Sequence, residues 1–263
     1  MKIAVLMKQV PDTWSDRKLD LTTGQIDRTT AEQVADEINE RALESALRHK
    51  DQDASTEIVA VTMGPTGAQA ALRRALSMGA DSAILVNDPS LAGSDMVRTA
   101  LALASALRDI GPDLVLAGNE STDGRGGLVP AMIAEVLQFP HLPAVDRVEI
   151  SDSQVTGQLQ VEGAVVSVQS EYPALVSVTE QSAEARIPNF KGIMKAKKKP
   201  LDVKTLADLG IDVGPGAATA KSVMVGATER PPRNAGTKIT DDGTAAQQLA
   251  EFLSSRRLLQ NHQ

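Results

Sequence analysis

The residues best suited to chemistry in this 263-residue chain lie between 113 and 138, in DLVLAGNESTDGRGGLVPAMIAEVLQ. A short apolar strand at 114–117 breaks at Gly118, and small or polar residues follow as far as Gly127. From Leu128 the pattern turns helical, with Pro130 near the first turn. The first amides of a helix have no partner within it and sit at the positive end of its dipole. A strand, a glycine-bearing loop and a helix start in this order can therefore hold an anion. Ser121, Thr122 and Asp123 add hydroxyl and carboxylate groups at the same level. The pattern predicts a phosphate or ribose site. An ordinary strand-to-helix connection, in which Gly126 and Gly127 only make the turn, fits the spacing as well.

Composition narrows the chemistry further. Hydrophobic residues make up 42% of the chain and charged residues 23%, as expected of a soluble globular protein with one large or two modest domains. The net charge of −7 argues against a nucleic-acid binder, whose affinity comes mainly from neutralising phosphates. Without cysteine there is no thiolate catalysis, disulfide or cysteine metal site. His49, His141 and His262 are scattered, so neither a zinc site nor a histidine-centred triad is expected. Aromatic residues are only 2% of the chain, too few to stack a base or a flavin without help from another chain. The start, MKIAVLMKQV, reads as a strand rather than a leader, and no window is long enough to span a bilayer. A cytoplasmic protein is the expectation.

The elements that must position the loop follow in order. Strands are predicted at 2–7, 58–63, 83–86 and 114–117, with helices at about 31–50, 65–78, 94–109 and from 128. A small hairpin about Gly24 interrupts the first unit. Buried, non-alternating strands separated by helices imply a parallel sheet, whose ligand lies beyond the strand C-termini where the order reverses. With an order of 3-2-1-4-5, the exits of the first and fourth strands flank that point. Neither exit carries a G-x-G-x-x-G or a Walker loop. After Pro140 a hairpin at 155–170 and an apolar strand at 174–179 are expected to extend the same sheet with antiparallel pairing.

Residues 183–204 read as a loop-like segment in which Lys191, Lys195, Lys197, Lys198, Lys199 and Lys204 crowd an otherwise acidic chain. Phe190, Ile193 and Met194 stand directly against these lysines. A solvated basic run and a protein-docking patch are both consistent with that composition. The tail holds a strand-like run at 222–225, a polar stretch at 229–242 and an amphipathic helix at about 243–259. The stretch 229–242 reads as an arm that packs on something else, such as a partner chain. The divisions expected are 1–182 for the α/β domain, 183–204 for the docking segment and 205–263 for the arm and helix.

MKIAVLMKQVPDT at the start, ALSMGAD at 75–81, DLVLAGNESTDG at 113–124, YPALVSVTE at 172–180, GIMKAKKKPL at 192–201 and PPRNAGTKI at 231–239 together resemble the beta subunit of electron transfer flavoproteins. The likeness runs through nearly the whole chain. It implies a Rossmann-like domain of the adenine-nucleotide-binding type, paired with a larger alpha subunit that carries the redox-active FAD. Such a pair takes electrons from flavin dehydrogenases, typically acyl-CoA dehydrogenases, and passes them to a membrane-associated electron transfer flavoprotein-quinone oxidoreductase. The beta subunit buries a structural AMP, covers one side of the flavin and has no catalytic residue of its own.

By position, the resemblance puts the AMP contacts on Leu6, on Asp36, Glu37, Ile38 and Asn39, on Met63, and on Gly118, Asn119, Glu120, Ser121, Thr122, Asp123, Gly124, Arg125, Gly126, Gly127, Leu128 and Val129. Many relatives carry Asn-Pro-Phe/Tyr where this chain has Asp36 to Asn39, and more side-chain ligands where it has Gly124 to Gly127. Backbone amides and Arg125 are left for the phosphate. In electron-bifurcating relatives the same pocket holds a second FAD. The resemblance also makes 183–204 the loop that anchors partner dehydrogenases through one exposed apolar residue, here Phe190, with Ile193, Met194 and Lys195 beside it. A stand-alone adenine-nucleotide-binding regulator of the universal-stress type is the alternative.

Overall fold

The first strand, Lys2–Leu6 (β1), shows how the sheet is built. Its side chains alternate faces, and both faces are apolar. Ile3 and Val5 enter one core, while Ala4 and Leu6 enter another. A strand buried on both sides needs a helix layer above and below. The computed structural model describes residues 1–211, 220–222, 224–233 and 235–259, and it supplies both layers. In chain order the elements are β1, β2 (Gln9–Pro11), β3 (Gln33–Ala35), α1 (Glu37–Gln52), β4 (Glu57–Met63), α2 (Gln69–Met78), β5 (Ser82–Val86), α3 (Met96–Ile110), β6 (Leu114–Gly118) and α4 (Val129–Leu137). After these come β7 (His141–Val145), β8 (Arg147–Ile150), β9 (Gln154–Val161), β10 (Ala164–Glu171), β11 (Ala174–Val178), α5 (Phe190–Ala196), β12 (Leu201–Lys204) and α6 (Ala245–Ser255).

Seven strands pair in the order β12-β5-β4-β1-β6-β11-β7, and every pairing is parallel. Leu43 and Leu47 of α1 and Leu72 and Leu76 of α2 pack on one face with Ile58, Leu114 and Val176. Leu103 and Leu107 of α3 and Ile133 of α4 pack on the other with Val59, Val115 and Leu175. The fold is a Rossmann-like α/β sandwich. The chain steps outward from β1 through β4 to β5, then returns to place β6 on the other side of β1. The order reverses between β1 and β6, as expected.

Several sequence expectations need correction. The hairpin at 155–170 does not extend the main sheet: β9 and β10 pair antiparallel in a separate sheet with β8. The strand after it joins the main sheet in parallel, between β6 and β7. All five residues of β11 are buried, which only a site with both faces covered allows, whereas β10 is largely exposed. The helix expected from 31 begins only at Glu37, because Val34 pairs with Val10 in a short antiparallel ribbon and Asp36 caps the helix. The loop-like 183–204 contains α5 and the edge strand β12. In the run 222–225, Val223 lies outside the described residues and the others form no strand. The chain divides into Met1–Ala227 and Thr228–Gln263; α6 belongs to the second unit and buries none of its residues.

Candidate functional site

The loops leaving β1 and β6 meet at the switch point over the N-terminus of α1. Asp36 is fully buried there. As N-cap it accepts from the Ile38 amide at 3.0 Å, and its second oxygen accepts from the Thr122 amide at 2.7 Å and hydroxyl at 3.0 Å. One carboxylate thus closes a helix and ties it to the loop after β6. Gly118, the last residue of β6, lets α1 come close. A Cβ there would stand 2.6 Å from Asn39 Nδ2 and 2.9 Å from Ile38 Cγ2. Leu6 ends β1 and is buried, Met63 ends β4 and is half-buried, and Glu37 is exposed. The structure therefore gathers Leu6, residues 36–39, Met63 and 118–129 along one edge of the sheet.

Cations converge beneath the loop. The Asp123 side chain is only 2% exposed, and it pairs with Lys8 Nζ at 2.6 Å and Arg28 Nη2 at 2.9 Å. Burial alone would raise its pKa. The Lys8 charge, with hydrogen bonds from Lys8, Ser121 and the Gly124 amide, outweighs that and lowers it to about 2. Arg17 donates from Nη2 to the Pro11 carbonyl at 2.6 Å and to the Thr122 hydroxyl at 3.2 Å, and from Nη1 to the Thr122 carbonyl. Asp123 points inward, so its carboxylate serves the loop rather than an incoming group. Arg125, with φ of 47°, is exposed, and so are Gly124, Gly126, Gly127 and Leu128.

This surface can receive an anion. Helix α4 starts with no side-chain cap, so among the described residues its first amides remain available. Glu120 and Ser121 are half-buried beside it, and Ser121 Oγ accepts from Lys8 Nζ at 3.0 Å. Oδ1 of Asn39, Oδ1 of Asn119 and Oγ1 of Thr62 are buried without a hydrogen-bond partner. Asn39 is 6% exposed and Thr62 1%. Unmet buried polar atoms are costly, and here they lie at the sheet edge where parallel folds bind ligands. The donor set suits a phosphate, with polar acceptors close by. A cavity of about 430 Å³ lies elsewhere, lined by Ser105, Arg108, Asp109 and 208–211. Among the described residues no cluster of three or more metal-ligating side chains occurs, and no helix is long and apolar enough to cross a membrane.

The lysine-rich segment is fixed on α2. Asn189 caps α5, accepting from the Gly192 amide at 2.8 Å. Gly192 approaches so closely that a Cβ would lie 2.5 Å from the Ser77 carbonyl oxygen. Arg73 Nη1 donates to the Ala196 carbonyl at 2.7 Å. Lys199 Nζ reaches the Leu76 and Gly79 carbonyls at 3.1 and 3.3 Å, and also that of Ala80, placing a cation at the helix C-terminus where the dipole favours it. Burial lowers the pKa of this lysine. Phe190 is 79% exposed, and Ile193, Met194 and Lys195 are exposed as well. Lys199 is thus structural, and Lys204 pairs with Asp109 at 2.7 Å.

Sequence reasoning missed Lys8, Arg17, Arg28 and Thr62. Lys8 lies 115 residues from Asp123 and Arg28 lies 95 away. Only the position of Lys8 at the exit of the first strand could have marked it.

Fold and site define a Rossmann-like α/β protein with an anion-ready shelf at the switch point of its parallel sheet. The model of the electron transfer flavoprotein domain matches residues 23–209. Over 263 residues, 98% of this chain and 99% of the relative, the chain is 45% identical to an electron transfer flavoprotein subunit beta from Mycobacterium leprae (strain TN). It is 44% identical, with the same coverage, to one from Mycobacterium tuberculosis (strain ATCC 25618 / H37Rv). At 32% identity over 97% of both chains it also resembles the caffeyl-CoA reductase-Etf complex subunit CarD from Acetobacterium woodii. The chain belongs to the electron transfer flavoprotein beta-subunit family.

Proposed function

We propose that this chain is the beta subunit of a heterodimeric electron carrier that binds a structural AMP and covers the FAD of an alpha subunit. The flavin supplies the redox chemistry; the beta chain holds a nucleotide, screens the flavin and docks partners. The amides from Gly126 to Val129, with the Arg125 side chain, hold the phosphate, because the Gly124 and Arg125 amides already donate to Asp123 and Ser121; Leu6 and Met63 line the adenine or ribose. Electrons come from flavin dehydrogenases such as acyl-CoA dehydrogenases and leave to a membrane quinone oxidoreductase. The pair works in the cytoplasm and inserts in no membrane. The observation that carries this reading is the coexistence, in the unit Met1–Ala227, of an anion-ready shelf and an exposed apolar segment, held on α2 and interspersed with exposed lysines.

A second reading keeps the fold and changes the ligand. Residues 124–128 form an exposed run with three glycines, and the CarD relative is named as part of a reductase–Etf complex. Both favour a larger nucleotide, a second FAD, in the shelf of a bifurcating pair. Denaturing the heterodimer, co-expressed with its candidate alpha chain, and identifying the released nucleotides by mass separates the two. One FAD with one AMP supports the simple carrier, and two FAD the bifurcating one. A colourless, stable monomer that binds no flavoprotein rejects both in favour of a stand-alone nucleotide-binding regulator.

A further inference from the structure

The stretch leading into α5 is gripped by α1 before it reaches the docking residues. Arg186 donates to Glu44 Oε2 from its backbone amide at 3.2 Å and from Nε at 2.7 Å, and its Nη2 reaches Glu44 Oε1 at 3.1 Å. The same guanidinium reaches Asp51 Oδ2 at 2.7 Å. The Glu44 side chain is only 6% exposed, so this bidentate pair fixes geometry in a way a surface ion pair does not. Arg41 Nη1 adds a hydrogen bond to the Ser182 carbonyl at 3.1 Å. Within α5, Gly192 abuts Ser77 and the Ala196 carbonyl accepts from Arg73, both residues of α2.

Between these two attachments Ile187 projects with 87% of its surface exposed, more than Phe190 at 79%. Pro188 separates Ile187 from the helix cap and restricts the backbone. Neither Ile187 nor Phe190 contributes a packed side chain to the core. Lys191, Lys195, Lys197 and Lys198, which follow in the chain, are all exposed. Two apolar projections followed by a run of exposed lysines complement an apolar cleft with an acidic rim. Holding them in place before the encounter lowers the ordering cost of association.

We infer that Arg186, clamped to Glu44 and Asp51 of α1, is the positioning residue that presents Ile187 together with Phe190 as a two-pronged anchor for an acidic-rimmed apolar cleft on the partner flavin dehydrogenase. The inference rests on the docking segment proposed above. It adds a second anchor and the residue that aims both.

The test uses the assembled heterodimer as electron acceptor for an acyl-CoA dehydrogenase reduced by its acyl-CoA substrate. Ile187→Ser changes only an exposed side chain. It raises the KM of the dehydrogenase for the heterodimer roughly tenfold, as loss of an anchor residue does, leaving the saturating rate, flavin spectrum and nucleotide content unchanged. Arg186→Ala raises KM in the same way. In the Arg186→Ala background Ile187→Ser adds less than it does alone, because the two act as one unit. An unchanged KM for Ile187→Ser alongside a raised KM for Phe190→Ala overturns the two-pronged anchor and leaves the docking segment standing. Unchanged KM for both variants removes the docking segment and this inference with it. Full additivity of the two substitutions overturns the positioning role of Arg186. If Arg186→Ala fails to assemble, the Ile187→Ser comparison still decides the anchor.

Discussion

Asp123 shows what a buried charge does in a loop built mainly of small residues. Its folded pKa of about 2 lies below the unfolded value of 3.8. Its stabilising effect is therefore complete above about pH 4 and is lost as pH falls towards 2. A shift of this size corresponds to about 2 kcal/mol. Asp123→Asn should lower stability by about that amount at neutral pH. The gap from wild type, followed by melting temperature across pH, should close as the solution is acidified. A gap that stays constant down to the lowest pH would falsify the assignment. From the sequence Asp123 reads as a ligand carboxylate, because a loop carboxylate beside hydroxyls looks the same whether it faces inward or outward. Its orientation is decided by Lys8 and Arg28, which meet it only in the folded chain.

At the scale of elements, two glycines set how closely helices approach what they serve. Gly118 admits α1 to the end of β6, and an alanine there would meet both Asn39 and Ile38. Relieving that overlap costs about 1–3 kcal/mol and pushes Asn39 and the α1 cap away from the loop. Gly118→Ala should reduce the nucleotide released per heterodimer, read by mass after denaturation. Retention of a full complement would show that the shelf does not depend on this contact. Gly192 does the same for α5, but its obstacle is the backbone oxygen of Ser77, which cannot rotate aside. Gly192→Ala should lift α5 from α2 and raise the KM in dehydrogenase-driven reduction, with the flavin spectrum unchanged. A KM equal to wild type would show that α5 is docked without need of this approach. The parallel strands were legible because burial on both faces leaves continuous apolar runs. The hairpin's sheet was not, because alternating runs such as β9 and β10 carry no information on which edge they join.

For the whole molecule, the decisive contrast is between its two units. Met1–Ala227 holds a core on each face of the sheet. In Thr228–Gln263, α6 buries none of its residues, and Leu249, Phe252, Leu258 and Leu259 remain exposed. An eleven-residue helix that buries none of its residues is marginal in water, so its apolar side chains need another surface. The sequence showed the amphipathic pattern of this helix but named no surface to cover it. In the proposed heterodimer the alpha subunit provides it. Limited proteolysis of the chain expressed alone should therefore remove the region beyond Ala227 and spare the sheet domain, because cleavage follows locally unfolded backbone. Co-expression with the alpha chain should protect the same bonds. If the tail resists protease equally with and without the alpha chain, it packs within its own subunit, and the alpha subunit must be held by another face.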